Sequence, residues 1–343
     1  MCYGAGVQRD SVVREPSTGR LPRRRLGRLD MELTVLGLGG ASLGLVRDRD
    51  TSPEERAEIA AATVRRAVEL GINYIDTSPL YQQGVAERSL GIALGGLNAT
   101  KRASLHVSTK VGTRPGMEGR YDRASVLASL QQSREALGQE YLDIVFVHDP
   151  NSDAHVEAIL RPGGAADTIL ELKREGRVGA LGLGVRTHRW QRRCIEDGRF
   201  DVVLLPYDYS LARDSARPLI ELAQTHSVGV VSASPYLRGL LAGPDPAVQA
   251  RYGDQEPEDV AAAAAIHAWC GVRGLDVGTL AMQFSTRHHG IASTLVGSRD
   301  GAELAASYRH ATASLGDGVW REFAAATANF PAAAPGGETG TLQ

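Results

Sequence analysis

Arg123 to His148 reads RASVLASLQQSREALGQEYLDIVFVH, an amphipathic segment over 123 to 138 that runs into the short apolar run Leu142 to His148. A helix-length pattern next to a run too short for a helix and rich in β-branched and aromatic residues is one αβ repeat. The same alternation recurs along the chain. Strand-like runs are Thr34 to Gly39, Asn73 to Thr77, Leu105 to Val111, Leu142 to His148, Ala180 to Val185, Asp201 to Pro206, Gly229 to Ser234 and Ala292 to Gly297. Helical patterns fall at 54–71, 85–95, 123–138, 166–177, 188–197, 215–227, 277–289 and 301–314. Strands each followed by a helix predict an α/β protein with a parallel sheet, and this many repeats predict a single (β/α)₈ TIM barrel. The competing doubly wound sheet fits poorly. The first βα turn, Gly37-Leu38-Gly39-Gly40-Ala41-Ser42-Leu43-Gly44, lacks the G-x-G-x-x-G spacing, and Asp76 comes too late to hold a ribose as in that fold. Arg24 to Val35 predicts a hairpin under the barrel floor, and Val260 to Gly274 an extra helix.

The 343 residues are 43% hydrophobic, enough for a large core, with a formal charge of -2 and no basic excess to attract nucleic acid or an anionic membrane. A small-molecule partner is expected. Cys2, Cys194 and Cys270 have no disulfide-framework or metal-ligand spacing, and no metal site is predicted. With no apolar run of about 18 residues, the sequence reads as soluble and cytoplasmic. Residues 1–23 read as a disordered arm, 24–330 as the barrel, and 331–343, rich in Ala, Pro and Gly, as a flexible tail. Lys101, Lys110 and Lys173 stand among 38 basic residues that are otherwise arginine, so each lysine is conspicuous.

Chemistry in such a barrel gathers at the carboxyl ends of the strands, where the loops are free to vary. The second strand ends in Asp76, with Tyr81 five residues on; the third ends in Lys110; the fourth ends in His148-Asp149-Pro150. Each residue alone has an ordinary explanation: a turn cap, a lysine reaching for solvent, a hydrogen-bonded structural histidine. Three successive barrel strands are neighbours, however, and their tips bring Asp76, Lys110 and His148 together beneath Tyr81. Such a cluster can do acid–base work. Lys110, kept charged by Asp76, is expected to lower the pKa of Tyr81 so that it serves as general acid or base. A neutral His148 would hydrogen-bond the substrate oxygen.

With these residues placed, the sequence resembles the aldo-keto reductase superfamily over nearly the whole predicted barrel. The resemblance rests on Arg24-Arg25-Leu26-Gly27, Leu36-Gly37-Leu38-Gly39, Asp76-Thr77-Ser78-Pro79-Leu80-Tyr81 with Glu87 and Leu90-Gly91, and Ser108-Thr109-Lys110-Val111-Gly112. Tyr141-Leu142-Asp143 and Arg238-Gly239-Leu240-Leu241-Ala242-Gly243 continue it. It implies that Asp76, Tyr81, Lys110 and His148 form the catalytic tetrad and that NADPH or NADH lies extended across the barrel mouth. In motif the chain is similar to the branch containing aldose 1-dehydrogenases, L-fucose and L-galactose dehydrogenases and pyridoxal 4-dehydrogenase, which oxidise cyclic hemiacetals to lactones.

The resemblance also implies cofactor contacts. Near the tetrad these are Gly40, Ala41, Ser42 and Asp76; at the fifth strand's end, Gly184 and Arg186; after the seventh strand, Ser234, Leu237 and Gly239. The last βα unit adds Gly297, Ser298, Arg299, Glu303 and Ser307, with the helix N-terminus offered to a phosphate group. Two departures from the family stand out. Gly182-Leu183-Gly184-Val185-Arg186 replaces the Ser-Asn that holds the nicotinamide amide, and Ala233 stands where a stacking tyrosine is common, leaving Tyr236 as a candidate substitute. Asp300 and Glu303 offset Arg299, so NAD is expected at least as strongly as NADP. The loop Asn151 to Asp167 is expected to wall the substrate pocket, with Arg186 and His188 facing it.

The sequence thus points to an oxidoreductase that transfers a hydride between a nicotinamide cofactor and a carbonyl or hemiacetal carbon of a polar, sugar-like substrate. Two alternatives stand beside it: a cofactor-binding regulatory subunit without turnover, and a cofactor-assisted isomerase or dehydratase.

Overall fold

Eight parallel strands hydrogen-bond around a closed circuit in a computed structural model that describes residues 20–46, 50–243, 255–333 and 336–337. The circuit runs β3 (Leu36–Gly39), β4 (Tyr74–Asp76), β5 (His106–Val111), β6 (Leu142–His148), β7 (Val178–Gly184), β8 (Val202–Pro206), β9 (Gly229–Ala233) and β10 (Ser293–Gly297). It closes where β10 pairs with β3, Gly297 opposite Gly39. The predicted barrel is therefore the observed one. Beneath it, β1 (Arg23–Arg25) and β2 (Glu32–Thr34) form the expected antiparallel hairpin. Leu26 and Leu33 from the hairpin are fully buried with Tyr74, Ile144, Phe146 and Val202 in the barrel interior. The hairpin also hydrogen-bonds Arg28 N–H to the Ser227 carbonyl, just before β9 begins, which seals the amino-terminal end of the barrel.

The outer ring is α1 (Pro53–Glu69), α2 (Val85–Gly95), α3 (Ala99–Ala103), α4 (Arg123–Leu137), α5 (Asp153–Leu160), α6 (Ala165–Arg174), α7 (His188–Asp197) and α8 (Arg217–Thr225). It continues with α9 (Pro257–Val272), α10 (Val277–Thr286), α11 (Gly301–Thr312) and α12 (Asp317–Ala326). Local signals set their ends. Ser52 caps α1 by accepting from Glu55 N–H, with Pro53 at the first helical position. Asp122 caps α4 in the same way, and Gly138 ends it in the left-handed conformation at φ 62°.

The structure corrects several sequence expectations. The predicted first strand divides at Val35, because its first residue, Thr34, pairs with Arg23 in the floor hairpin and only Leu36–Gly39 joins the barrel. The expected loop 151–167 holds the helix α5, capped by Ser152, whose side chain accepts from His155 N–H. That helix packs its buried Val156 and Ile159 into the core around the barrel. Of the predicted arm, residues 1–19 lie outside the described residues, whereas Leu21 is buried and Arg23 already pairs in β1. Of the predicted tail, 334–335 and 338–343 lie outside the described residues, while the Gly337 carbonyl accepts from His188 N–H at 3.0 Å. Among the described residues, no helix is long and apolar enough to cross a membrane.

Strand alternation in β5 separates structure from chemistry. Ser108 and Lys110 join the polar cluster at the mouth, while Thr109, between them, hydrogen-bonds Glu87 on α2 at 2.7 Å. Glu87 is fully buried, and its other oxygen is 3.3 Å from Arg114. Arg114 is tied in turn to Ser129 and Ser133 on α4. Removing one member of a buried ion pair strands the other charge. Glu87→Ala is therefore expected to cost about 3–5 kcal/mol in denaturant unfolding, and a loss below about 1 kcal/mol would assign the network no structural weight.

Candidate active site

The tips of β4, β5 and β6 meet at one mouth of the barrel, and the polar residues there form a connected chain. Tyr74 and Ser108 hydroxyls lie 2.9 Å apart, Ser108 donates to Asp76 Oδ1 at 2.6 Å, and Lys110 Nζ donates to Asp76 Oδ2 at 2.5 Å. Lys110 also donates to the Thr77 carbonyl at 2.8 Å. Lys110 is completely buried. Burial lowers its pKa, and the carboxylate of Asp76 opposes that fall, which is how an ammonium group persists here.

Tyr81 follows β4 in a tight turn, with Gln82 and Gln83 both at positive φ. Its ring centroid is 4.6 Å from Lys110 Nζ and 6.2 Å from the His148 ring, edge to face. Its pKa is raised well above the ordinary phenol value, first by burial, then by Asp76, Asp149 and Tyr207. This reverses the expectation that Lys110 would lower it. Burial is the largest cause, and the short Asp76–Lys110 contact adds to it, since Tyr81 faces an ion pair rather than a free positive charge. Without cofactor, Tyr81 is a neutral phenol and a proton donor.

His148 has polar neighbours at both ring nitrogens. Thr113 Oγ1 lies 2.9 Å from Nδ1 and the Asp149 carboxylate 3.3 Å from Nε2. A carboxylate at Nε2 favours the proton there, with Thr113 donating to Nδ1. Burial, and then Lys110, hold the His148 pKa well below the ordinary imidazole range, so the ring is neutral. Its backbone carbonyl accepts from Tyr121 at 3.1 Å. That ring fits only because Gly112, at φ 95°, has no side chain; a Cβ there would stand 2.3 Å from it.

The residues expected to hold a dinucleotide fall on the same mouth. Gly40, Ala41 and Ser42 form a 3₁₀ turn after β3, and a Cβ on Gly40 would lie 2.7 Å from the Asp76 carbonyl. Ser42 Oγ would stand 3.2 Å from a Cβ on Gly297, at the end of β10. Ser298, next in the chain, is buried with its hydroxyl unpartnered among the described residues, a polar atom that suits a phosphate oxygen. Ser234, at φ 65°, donates its N–H to the Leu295 carbonyl, and Gly184 pairs with His148 across β6 and β7.

Other expected contacts are redirected by the packing. Asp300 caps α11 by accepting from the N–H groups of Ala302 and Glu303, each at 2.9 Å, so amides that were expected for a phosphate are already taken. Arg299 is bound by Glu303 through side chain and backbone. The Leu237 side chain is buried in a separate core cluster, leaving only its backbone and neighbouring Gly239, at φ 94°, for a ligand. Ser307 is buried beside Tyr236. Tyr236 itself packs among core side chains with its hydroxyl 2.7 Å from His310, which removes it as a substitute for the missing stacking ring. Arg186 and His188 both engage Asp208, at 3.1 and 3.0 Å.

Asp149 and Tyr207 received no role in the sequence reading. Both stand at strand ends with φ above zero, 41° and 64°, a conformation without a signal in the residue type. Tyr207 N–H donates to the Ala233 carbonyl at 3.1 Å, and the Arg238 guanidinium stands 5.0 Å from its ring.

Comparison with known proteins follows the same lines. The profile described as Aldo/keto reductase family matches residues 35–327. Pyridoxal 4-dehydrogenase of Microbacterium luteolum is 29% identical, over 87% of this chain and 95% of its own length. L-galactose dehydrogenase of Arabidopsis thaliana is 30% identical, over 81% and 84%. D-threo-aldose 1-dehydrogenase of a Pseudomonas species is 27% identical, over 86% and 94%. Among solved structures, an aldo-keto reductase from Pseudomonas aeruginosa superposes with a TM-score of 0.64 at 26% identity, covering 84% of this chain and 94% of that one. One from Bacillus halodurans shares the fold with a TM-score of 0.70 at 21% identity, covering 90% and 96%.

Proposed function

We propose, from the premise that this chain belongs to the aldo/keto reductase family, that it is a nicotinamide-dependent dehydrogenase acting on the hemiacetal or carbonyl carbon of a polar, sugar-like molecule. Family membership and dehydrogenase relatives support an oxidoreductase. The observation that carries the finer reading is the meeting of a proton-bearing Tyr81, a neutral His148 and the buried Lys110–Asp76 pair at one mouth.

In this reading the nicotinamide, when bound, accepts or supplies the hydride. Gly40 to Ser42 and Gly297 to Ser298 would hold the dinucleotide, the buried Ser298 hydroxyl donating to a phosphate oxygen. Tyr207, whose N–H donates to the Ala233 carbonyl, would offer the aromatic face that Ala233 lacks. The substrate oxygen takes hydrogen bonds from Tyr81 and His148 Nε2. During reduction the phenol gives its proton to that oxygen; during oxidation the phenolate takes it back. Lys110 stabilises the phenolate when it forms, and Asp76 holds Lys110 in place.

The test mixes purified protein with NAD+ or NADP+ and a panel of aldoses and follows absorbance of the reduced cofactor. Turnover of at least one sugar supports the reading. Tight cofactor binding with no redox turnover would favour a regulatory subunit, and conversion of a sugar without net reduction an isomerase or dehydratase.

We read the α11 entrance as favouring NAD, since Glu303 and Asp300 place carboxylates where an additional phosphate would approach Arg299. Glu303→Gln frees Arg299 and is expected to tighten NADP+ relative to NAD+ about 5- to 10-fold, on the order of 1 kcal/mol. Calorimetric titration of the two oxidised cofactors measures it; an unchanged ratio would remove Glu303 from cofactor selection.

A further inference from the structure

Asp149 lies at the centre of the proposed site, and the proposed proton and hydride steps do not use it. Its carboxylate is mostly buried and stands 3.3 Å from His148 Nε2. Among the described residues no N–H or O–H donor other than that imidazole is at hydrogen-bonding distance from the carboxylate. The side chain keeps 13% of its surface exposed, so an acceptor this poorly matched within the chain is open to a ligand at the mouth. The backbone reinforces the point. Asp149 sits at φ 41°, in the left-handed region, although Pro150 follows it and a residue before proline is driven towards extended geometry. Its N–H is fixed to the Gly184 carbonyl at 2.9 Å, so the β6–β7 pairing continues one residue past His148. The fold thus holds the carboxylate in an unfavourable conformation beside the catalytic imidazole.

We propose that Asp149 is a specificity-determining residue that accepts a hydrogen bond from a hydroxyl on the carbon next to the reacting one, selecting α-hydroxy carbonyls and cyclic hemiacetals over otherwise equal molecules lacking that hydroxyl. The inference rests on the dehydrogenase reading above. With the reacting oxygen at His148 Nε2, the Asp149 carboxylate is the next polar group, and a hydroxyl one carbon away can donate to it. A plain aldehyde or alcohol offers the carboxylate no donor.

The groups facing Asp149 are His148 on β6, Lys110 on β5, Tyr81 after β4 and Tyr121 after β5. Burial lifts its pKa to about 7, with Lys110 opposing the rise. The selectivity should therefore grow as pH climbs through neutrality, when the carboxylate ionises and becomes the stronger acceptor.

The test measures binding of an aldose and its 2-deoxy counterpart to the protein saturated with oxidised cofactor, in a Tyr81→Phe background so that the ligand is not consumed. The expected result is a preference of about 10- to 100-fold for the hydroxylated sugar, rising across neutral pH, and reduced below about 5-fold and made pH-independent by Asp149→Asn or Asp149→Ala, with cofactor affinity unchanged. A preference that survives both substitutions, no preference in the parent protein, or no sugar binding at all would overturn it. Binding selectivity with no redox turnover by the Tyr81-bearing protein would instead sink the dehydrogenase reading and leave the Asp149 contact standing.

Discussion

Replacing Tyr81 by phenylalanine is expected to lower kcat for sugar oxidation by about 10²–10⁴-fold while leaving cofactor affinity within about 2-fold. The ring remains to pack against Lys110 and His148, so the loss isolates the hydroxyl. The pH profile gives an independent readout. Because the Tyr81 pKa is raised, the phenolate is scarce near neutrality and its fraction grows about tenfold per pH unit. Oxidation, which needs the phenolate, should climb with pH through and beyond neutrality, whereas reduction, which needs the phenol, should stay flat there. The residual rate of Tyr81→Phe should lose that climb. A variant with wild-type kcat would transfer the proton chemistry to another group.

The second large effect lies in the Asp76–Lys110 pair. Lys110→Met leaves the Asp76 carboxylate almost fully buried without its counter-ion, and is expected to cost about 3–5 kcal/mol of stability together with nearly all activity. The double variant Asp76→Asn/Lys110→Met removes both charges. It should recover most of the stability, since a buried pair replaced by neutral groups is often no less stable, yet remain inactive because the phenolate has lost its ammonium neighbour. Denaturant midpoints and cofactor absorbance on the four proteins of the cycle measure both. Equal instability of the single and double variants would show that shape rather than charge balance holds this end of the barrel.

The barrel was legible because period and length are local properties. Leu142 to His148 has the observed boundaries of β6, and 85–95 and 188–197 those of α2 and α7, since apolar runs, caps and turn residues sit together in sequence. That Asp76, Lys110 and His148 meet at one mouth was legible because the tips of neighbouring strands must converge. What failed required knowledge of packing. The pKa of Tyr81 went the other way because its burial, the largest cause, shows only in a structure, whereas the pairing of Lys110 with Asp76 was already expected. Tyr236 looked available for stacking, but its hydroxyl reaches His310, 74 residues later. The helix α5 escaped notice because the Arg161-Pro162-Gly163-Gly164 turn dominated the reading of the segment around it. Asp149 passed as the ordinary neighbour of a histidine; its strained backbone and unmatched carboxylate appear only once β6 and β7 are paired.

In the proposed reaction, hydride moves directly between substrate carbon and nicotinamide at the Tyr81–His148 mouth. The most direct measurement uses an aldose deuterated at C1, with oxidised cofactor, and mass analysis of the reduced cofactor formed. One deuterium is expected in each reduced nicotinamide, with a matching amount of lactone, and Tyr81→Phe should lose both products in parallel. Unlabelled reduced cofactor, or sugar converted with the cofactor still oxidised, would contradict it.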